Sequence, residues 1–323
     1  MYLLIFLVIN VVTYIQGGIR TYVNGWNQGQ GVDSFGTHGK TILTFNHTRY
    51  NFDHSVIKTY DGKLLSCGGN HTNFCYELKG YWLWVYHSSL NKFRPNAVCI
   101  AMPNGIYLFE GKYHPFTSEF LPIGENVWKN GPKIPVLYSK SSIFKPVKLL
   151  RQLFRNFRQK CFSMACYSTG HKLSENELII IKVDQVFKFD IRKNEWSILH
   201  ELKIPRKYYS SFIFKGKLFI TGGYKMYGFF RKALPYTEVL DLSTMKSTMV
   251  GNLNTARFFH GMSVMRINNE LRLVVLGGQT RLKQDERYLL DSIEVWNEDT
   301  MSWDNTDIEL PYNNSRFATT PIF

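Results

Sequence analysis

Five arginines, Arg49, Arg94, Arg206, Arg257 and Arg316, each head a run of apolar and aromatic residues, as in RPNAVCIAM, RKYYSSFIF and RFFHGMSVM. A guanidinium is permanently charged and presents a fork of donors. Several brought together would hold carboxylate or sulfate groups. A second set of cations is compressed into YSKSSIFKPVKLLRQLFRNFRQKC, with Lys140, Lys145, Lys148, Arg151, Arg155, Arg158 and Lys160, and no acidic residue between Glu125 and Glu175. Leu149, Leu150, Leu153, Phe154 and Phe157 recur there at helical spacing. This predicts a basic amphipathic helix in an insertion at about 139–161. Lys148, Arg151, Arg155 and Arg158 would dock it on an anionic membrane surface, a glycosaminoglycan or an acidic protein. The alternative is an insertion whose apolar face packs on the rest of the chain. A third stretch, GGYKMYGFFRKALPY (222–236), has the composition of an interface loop. Its partner-binding candidates are Tyr227, Phe229, Phe230 and Arg231, beside Tyr224 and Lys232. The alternative is an aromatic loop tucked against the fold.

These sets sit in a chain of 323 residues with 39 Lys+Arg against 25 Asp+Glu, a net charge of +14. Such a balance favours an anionic partner. Protein or acidic polysaccharide is expected, with an anionic membrane surface as a further case, no nucleic acid, and a monomeric state. MYLLIFLVINVVTYIQGG opens the chain with a short uncharged apolar run ending in small residues. It reads as a signal peptide over 1–17, too short for a comfortable membrane span, with a retained signal anchor as the lesser alternative. Secretion agrees with three N-x-[ST] sequons, at Asn46, Asn70 and Asn313, expected to carry glycans. Of Cys67, Cys75, Cys99, Cys161 and Cys166, the pair Cys67–Cys75 spans a short connection between two strands and is the expected disulfide. Cys99 and Cys166 pair or stay buried thiols. No zinc spacing occurs, so neither metal nor cofactor is expected. No nucleophile elbow, phosphate loop or HExxH motif occurs either.

The elements that must position these residues come from repetition. KLLSCGG (63–69), KLFITGG (217–223) and LRLVVLGG (271–278) share an apolar strand that stops on two glycines, and GIYLFEG (105–111) is a worn copy. Each follows an Arg-led strand. Each precedes a third strand, a polar turn and, in most copies, a Trp, as in VFKFDIRKNEW (186–196) and SIEVWNEDTMSW (292–303). Five copies run in phase over about 44–323. The second has lost one glycine and the third, NELIIIKVDQVFKF, both. A four-stranded antiparallel unit cannot bury both faces alone, and radial packing solves this. The glycines permit unusual backbone angles and close approach. Trp fills the space between units.

This pattern resembles the kelch repeat. The resemblance implies an all-β fold over 18–323, a kelch-type β-propeller of four-stranded blades. Six blades are expected, the last closed by N- and C-terminal strands: RFATTPIF (316–323) has nothing after it, and GVDSFGTHGKTILTF (31–45) matches the end of a unit. Five blades or an incomplete ring is the alternative. Kelch propellers usually set the Arg-led strand innermost. Arg49, Arg94, Arg206, Arg257 and Arg316 would then form a positive ring at the channel mouth that binds a ligand, or else bond loop carbonyls and hold blades together. Relatives that are copper-radical oxidases need a Tyr–Cys pair and two histidines. His54 and His260 lie on first strands without that second signature, and are read as core or loop residues. The expected function is a secreted, non-enzymatic binding protein presenting its loop faces to a protein or acidic glycan. The alternatives are a carbohydrate-active enzyme, or a substrate receptor of ubiquitin ligases should residues 1–17 not be a leader.

Overall fold

The computed structural model describes three N-terminal strands within 20–46, then residues 55–134 and 168–322, apart from 70–71, 80–82, 112, 115, 183, 228–229, 269 and 282–286. The N-terminal strands are β1 (Arg20–Asn27), β2 (Gln30–Thr37) and β3 (Thr41–Asn46). The first blade is β4 (Ser55–Lys58), β5 (Leu64–Cys67), β6 (Phe74–Lys79) and β7 (Leu83–Ser89). The second is β8 (Val98–Met102), β9 (Gly105–Phe109), β10 (Ser118–Pro122) and β11 (Lys129–Asn130). The third is β12 (Thr169–Lys172), β13 (Glu177–Lys182), β14 (Gln185–Asp190) and β15 (Glu195–Glu201). In the fourth, β16 (Ser210–Phe214) and β17 (Lys217–Thr221) are followed by a separate hairpin, β18 (Tyr224–Tyr227) and β19 (Phe230–Ala233), before β20 (Thr237–Asp241) and β21 (Ser247–Val250). The fifth is β22 (Gly261–Ile267), β23 (Glu270–Arg281), β24 (Arg287–Asn297) and β25 (Ser302–Ile322). Every ladder is antiparallel, and among the described residues there is no helix.

The protein is thus an all-β propeller of five blades, the smaller of the two expected numbers. The pairing foreseen between the chain's two ends does occur: Arg20–Trp26 of β1 run antiparallel to Ser315–Ile322 of β25. It does not make a separate sixth sheet. β25 is one continuous strand of 21 residues with no turn before Arg316, so β1, β2 and β3 extend the fifth sheet in the order β22-β23-β24-β25-β1-β2-β3. First strands of successive blades lie side by side, β4 with β8, β8 with β12, β12 with β16 and β16 with β22; β25 also lies against β4.

The second strand of each blade is buried on both faces, which is why these read as unbroken apolar runs. Successive residues of a strand point to opposite faces. In β9, Ile106 and Leu108 join the layer shared with the first blade, while Tyr107 and Phe109 join the layer shared with the third. In β13, Leu178 and Ile180 face back to the second blade, and Ile179 and Ile181 face the fourth. Tryptophans in or just before the fourth strands plug these layers. Trp128 donates from Nε1 to Ser88 of the preceding blade at 3.0 Å, and Trp303 to Thr237 at 2.9 Å.

The glycine pair does what its chemistry suggests. Gly222 and Gly223 adopt φ of +61° and +94°. A Cβ at Gly222 would lie 2.4 Å from the Arg257 carbonyl oxygen of the next blade, so only glycine fits. Cys67 and Cys75 are direct cross-strand partners of β5 and β6 and form the expected disulfide. Cys99 is a free thiol, its pKa pushed up by burial. Cys161 and Cys166 lie outside the described residues.

Candidate functional site

Arg94, Arg206 and Arg257 do not form an open ring at the channel mouth. These residues are 1%, 2% and 0% exposed, and each is engaged inside its own blade. Arg257 donates from Nη1 to the carbonyls of Gly277 (2.9 Å) and Ser292 (3.0 Å), and from Nη2 to Glu294 Oε1 (2.6 Å). Arg94 repeats the pattern, with Nη1 on the carbonyls of Glu110 and Thr117 and Nε on Glu119. In Arg206 the acceptors are the carbonyls of Tyr236, Ile220 and Gly222, and the partner carboxylate is Glu238 at 3.8 Å. The guanidinium thus ties the end of the second strand to the start of the third. The physical reason is that the turn after each glycine pair leaves buried carbonyls that need donors. Burial lowers the pKa of Arg206, to about 10, and that of Arg257, with Glu238 and Glu294 opposing the effect. Arg94, Arg206 and Arg257 thus bond carbonyls, as the second expected reading has it, but within one blade in each of these bonds rather than between blades. Arg49 lies outside the described residues, and Arg316 is placed only as a backbone position in β25.

The carboxylate partners were not singled out from sequence. Glu119, Glu238 and Glu294 also accept backbone N–H groups from the segment before each arginine: Asn91 and Lys92, Lys203, and Asn254 and Thr255. Their signal was a Glu set just ahead of or among apolar residues of the third strand in TSEFL, TEVLD and SIEVW.

A different cluster stands at the end of the propeller where second-to-third and fourth-to-first connections emerge. The β18–β19 hairpin of the fourth blade lies there, with β19 against β23 of the fifth blade, in register Tyr224↔Ala233, Lys225↔Lys232, Met226↔Arg231 and Tyr227↔Phe230. Its base is rooted in an aromatic group of Tyr224, Phe258 and Phe259, with Tyr208 and Ala233 against it. Tyr208 stacks on Tyr224 with ring centroids 5.0 Å apart and planes at 19°, and meets Phe259 at 4.1 Å. The Arg231 guanidinium sits 5.3 Å over the Tyr224 ring. Burial raises the pKa of Tyr224, against the opposing effects of Arg231 and a hydrogen bond from Tyr208.

Tyr208 and Phe259 are each two residues past the repeat's arginine, and both have φ of +55°. Asn96 holds the same position in the second blade at φ +57°. Asparagine tolerates that left-handed region, whereas bulky aromatics there are outliers that persist where surroundings over-determine them, often at functional sites. Lys225, Arg231 and Lys232 are exposed, and 222–236 contain no carboxylate. At the opposite end the turn carboxylates Asp61, Glu125, Glu175 and Glu298 each pair with a lysine.

Of the partner-binding residues expected from sequence, Arg231 belongs to this cluster. Tyr227 and Phe230 are paired backbone positions of the hairpin, and Phe229 lies outside the described residues. So do Lys148, Arg151, Arg155 and Arg158; the chain leaves the described residues after Ile134 and re-enters at Ser168, across a fourth-to-first connection at the same end. Residues 1–17 and Asn70 lie outside them too, while Asn46 and Asn313 are placed as backbone positions of β3 and β25.

His260 is buried and shares a hydrogen bond with Thr221 Oγ1 at 2.9 Å; burial, then Arg257 and Arg206, hold its pKa well below the usual histidine value. His171 Nε2 lies 2.7 Å from Ser211 Oγ, and burial holds its pKa down to about 4. No group of three metal-ligating side chains gathers around either one among the described residues. No helix among them is long and apolar enough to cross a membrane. No protein-family model matches the chain, and no curated protein matches it.

Proposed function

We propose that the chain is a kelch-type propeller that works as a secreted, glycosylated, non-enzymatic binding module, docking a protein or acidic glycan on the end that carries the β18–β19 hairpin. The observation behind this reading is the aromatic root of that hairpin, with Tyr208 and Phe259 held in left-handed backbone and Arg231 over Tyr224. Rigid aromatics with exposed cations above them are what recognition surfaces use. The kelch reading rests on the five phased copies of Arg-led strand, glycine-ended strand and Trp. The disulfide between Cys67 and Cys75 is consistent with an oxidising compartment.

The test is placement of a photo-crosslinking side chain at Lys232, on the hairpin, or at Lys193, a turn residue of the opposite end, in protein collected from the medium of expressing cells. Cross-links to one partner from Lys232 and not from Lys193 support the reading. Equal labelling from both positions, or retention of the chain inside the cell, overturns it.

A further inference from the structure

The outermost strand of a blade ends its sheet on a row of backbone donors and acceptors, a template for another strand unless something blunts it. Three such edges here are blunted. β11 is two residues long and carries Lys129. β15 carries Glu195 and Glu201. β21 is four residues long, and the Lys203 ammonium takes the carbonyl of Ser247 at 2.6 Å. β7 is different. Its seven residues, LWVYHSS, include no Lys, Arg, Asp, Glu or Pro, and among the described residues no strand pairs with its outer edge. A bulge at His87, between the pairs Tyr76↔Tyr86 and Cys75↔Ser88, interrupts the ladder and leaves Leu83–Tyr86 as a regular, uncharged edge. Val85 and Tyr86 are 40% and 57% exposed; successive residues point to opposite faces, so both faces of the strand reach solvent. Phe74 is exposed beside them, its ring edge-on to Tyr86 at 5.7 Å.

We infer that the outer edge of β7 is a self-association site, where a second copy of this chain adds its own β7 antiparallel and closes a two-fold dimer. A chain of net charge +14 repels its own copies, so two of them can meet closely only through a patch without charge. β7 is such a patch: Lys79, across from Leu83, is neutralised by Glu77 at 2.5 Å. A two-fold axis through an antiparallel pair sets one residue opposite its own counterpart. With Val85 on that axis, Tyr86 of one copy falls opposite position 84 of the other, and the pairing ends where the His87 bulge begins. The uncharged row therefore meets itself, which an unrelated strand matches only by chance. The pairing covers both edges at once and leaves no free one for a third copy. Strand direction reverses across the pair, so the hairpin-bearing ends of the two propellers face opposite ways.

The test is analytical ultracentrifugation of the full-length protein over a wide concentration range, at low and high salt. It compares the native chain with Val85→Lys and with Ile198→Lys, an exposed position on the charged edge of β15. The apparent mass of the native chain should rise from one copy towards two. The association constant should fall about ten-fold in Val85→Lys, which sets two ammonium groups face to face across the axis, and should be unchanged in Ile198→Lys. High salt should not weaken it, since no ion pair holds the edge. Circular dichroism of each variant controls for folding. A second pair of variants reads the register directly: under oxidation Val85→Cys should give a covalent dimer on a non-reducing gel, and Ile198→Cys should not. A native chain that stays monomeric at every concentration overturns the inference. So does association undiminished in Val85→Lys, or a Val85→Cys chain that does not cross-link. Association lost in high salt identifies a bridging polyanion as the cause and overturns it as well.

Discussion

Glu110 occupies the position that the first glycine of the pair takes in other blades, with φ of +63°, and its carboxyl is fully buried. Lys182, at the end of β13, occupies the equivalent position of the next blade. The two form an ion pair across the blade boundary, with the Ser168 hydroxyl donating to the other carboxylate oxygen. The copies that lost glycines therefore lost them to each other. Replacing Lys182 by Met strands a carboxylate of zero exposure, which should cost about 3–5 kcal/mol. Replacing Glu110 by Gly leaves an ammonium that is 19% exposed and can turn to water, and it relieves about 1–2 kcal/mol of left-handed backbone strain. Its net cost should be only about 1–2 kcal/mol. The double variant removes both charges and restores the repeat's glycine, so it should be about as stable as Glu110→Gly alone. Urea unfolding of the four proteins closes the cycle, with an expected coupling of about 3–5 kcal/mol, the whole cost of the Lys182 replacement. Single-variant losses that add to within about 0.5 kcal/mol would mean the pair contributes no mutual stabilisation, and the reasoning fails.

Arg257→Ala should lower stability by about 3–5 kcal/mol, because Glu294 stays buried without its cation and two carbonyls lose their donor; a thermal shift assay reads this, and a loss below about 1 kcal/mol contradicts the cage. His171 and His260 are neutral when folded but titrate near 6.5 when unfolded, so acid favours the unfolded chain. Stability present above pH 6.5 should decline as pH falls towards 4, by up to about 1.4 kcal/mol per pH unit for each histidine, and His171→Asn should flatten the melting-temperature profile. Cys67→Ser with Cys75→Ser opens a loop spanning eight residues and should cost about 2.5 kcal/mol by chain entropy, measured by denaturant titration against the oxidised parent.

The architecture was legible because a propeller writes each blade out in sequence. An apolar run ending on Gly222-Gly223 needs a left-handed backbone and a neighbour closer than any Cβ allows. The role of the arginines was ambiguous, because an Arg at a strand start reads the same whether it faces a channel or a set of carbonyls. Only the turn geometry decides that Arg94 bonds the carbonyls of Glu110 and Thr117. The exchange of glycine for Glu110 and Lys182 looked like decay in each copy separately. Its meaning lies in a contact between residues 72 positions apart. The aromatic root was half visible: Tyr224 stood in a conspicuous loop, whereas Tyr208 and Phe259 hid as ordinary strand aromatics until their backbone angles set them apart. The number of blades turned on whether β25 breaks before Arg316, and nothing in NNSRFATTPIF signals a turn firmly enough to decide.

The unbroken run of β25 bears on how the molecule is assembled. Arg20 pairs with Ile322, so the fifth sheet joins residues 302 positions apart in the chain, while each other blade is built from neighbours in sequence. Local hairpins form in microseconds, whereas distant ends meet only after a large loss of chain freedom. During synthesis the first three strands emerge long before the strand they need. Until Ser315–Ile322 leave the ribosome, β1 presents an unpaired edge, the kind of surface on which nascent β chains aggregate. The last step of folding is thus set by the slowest contact in the chain, and changes near Ser315–Ile322 should slow maturation more than they alter the finished blades.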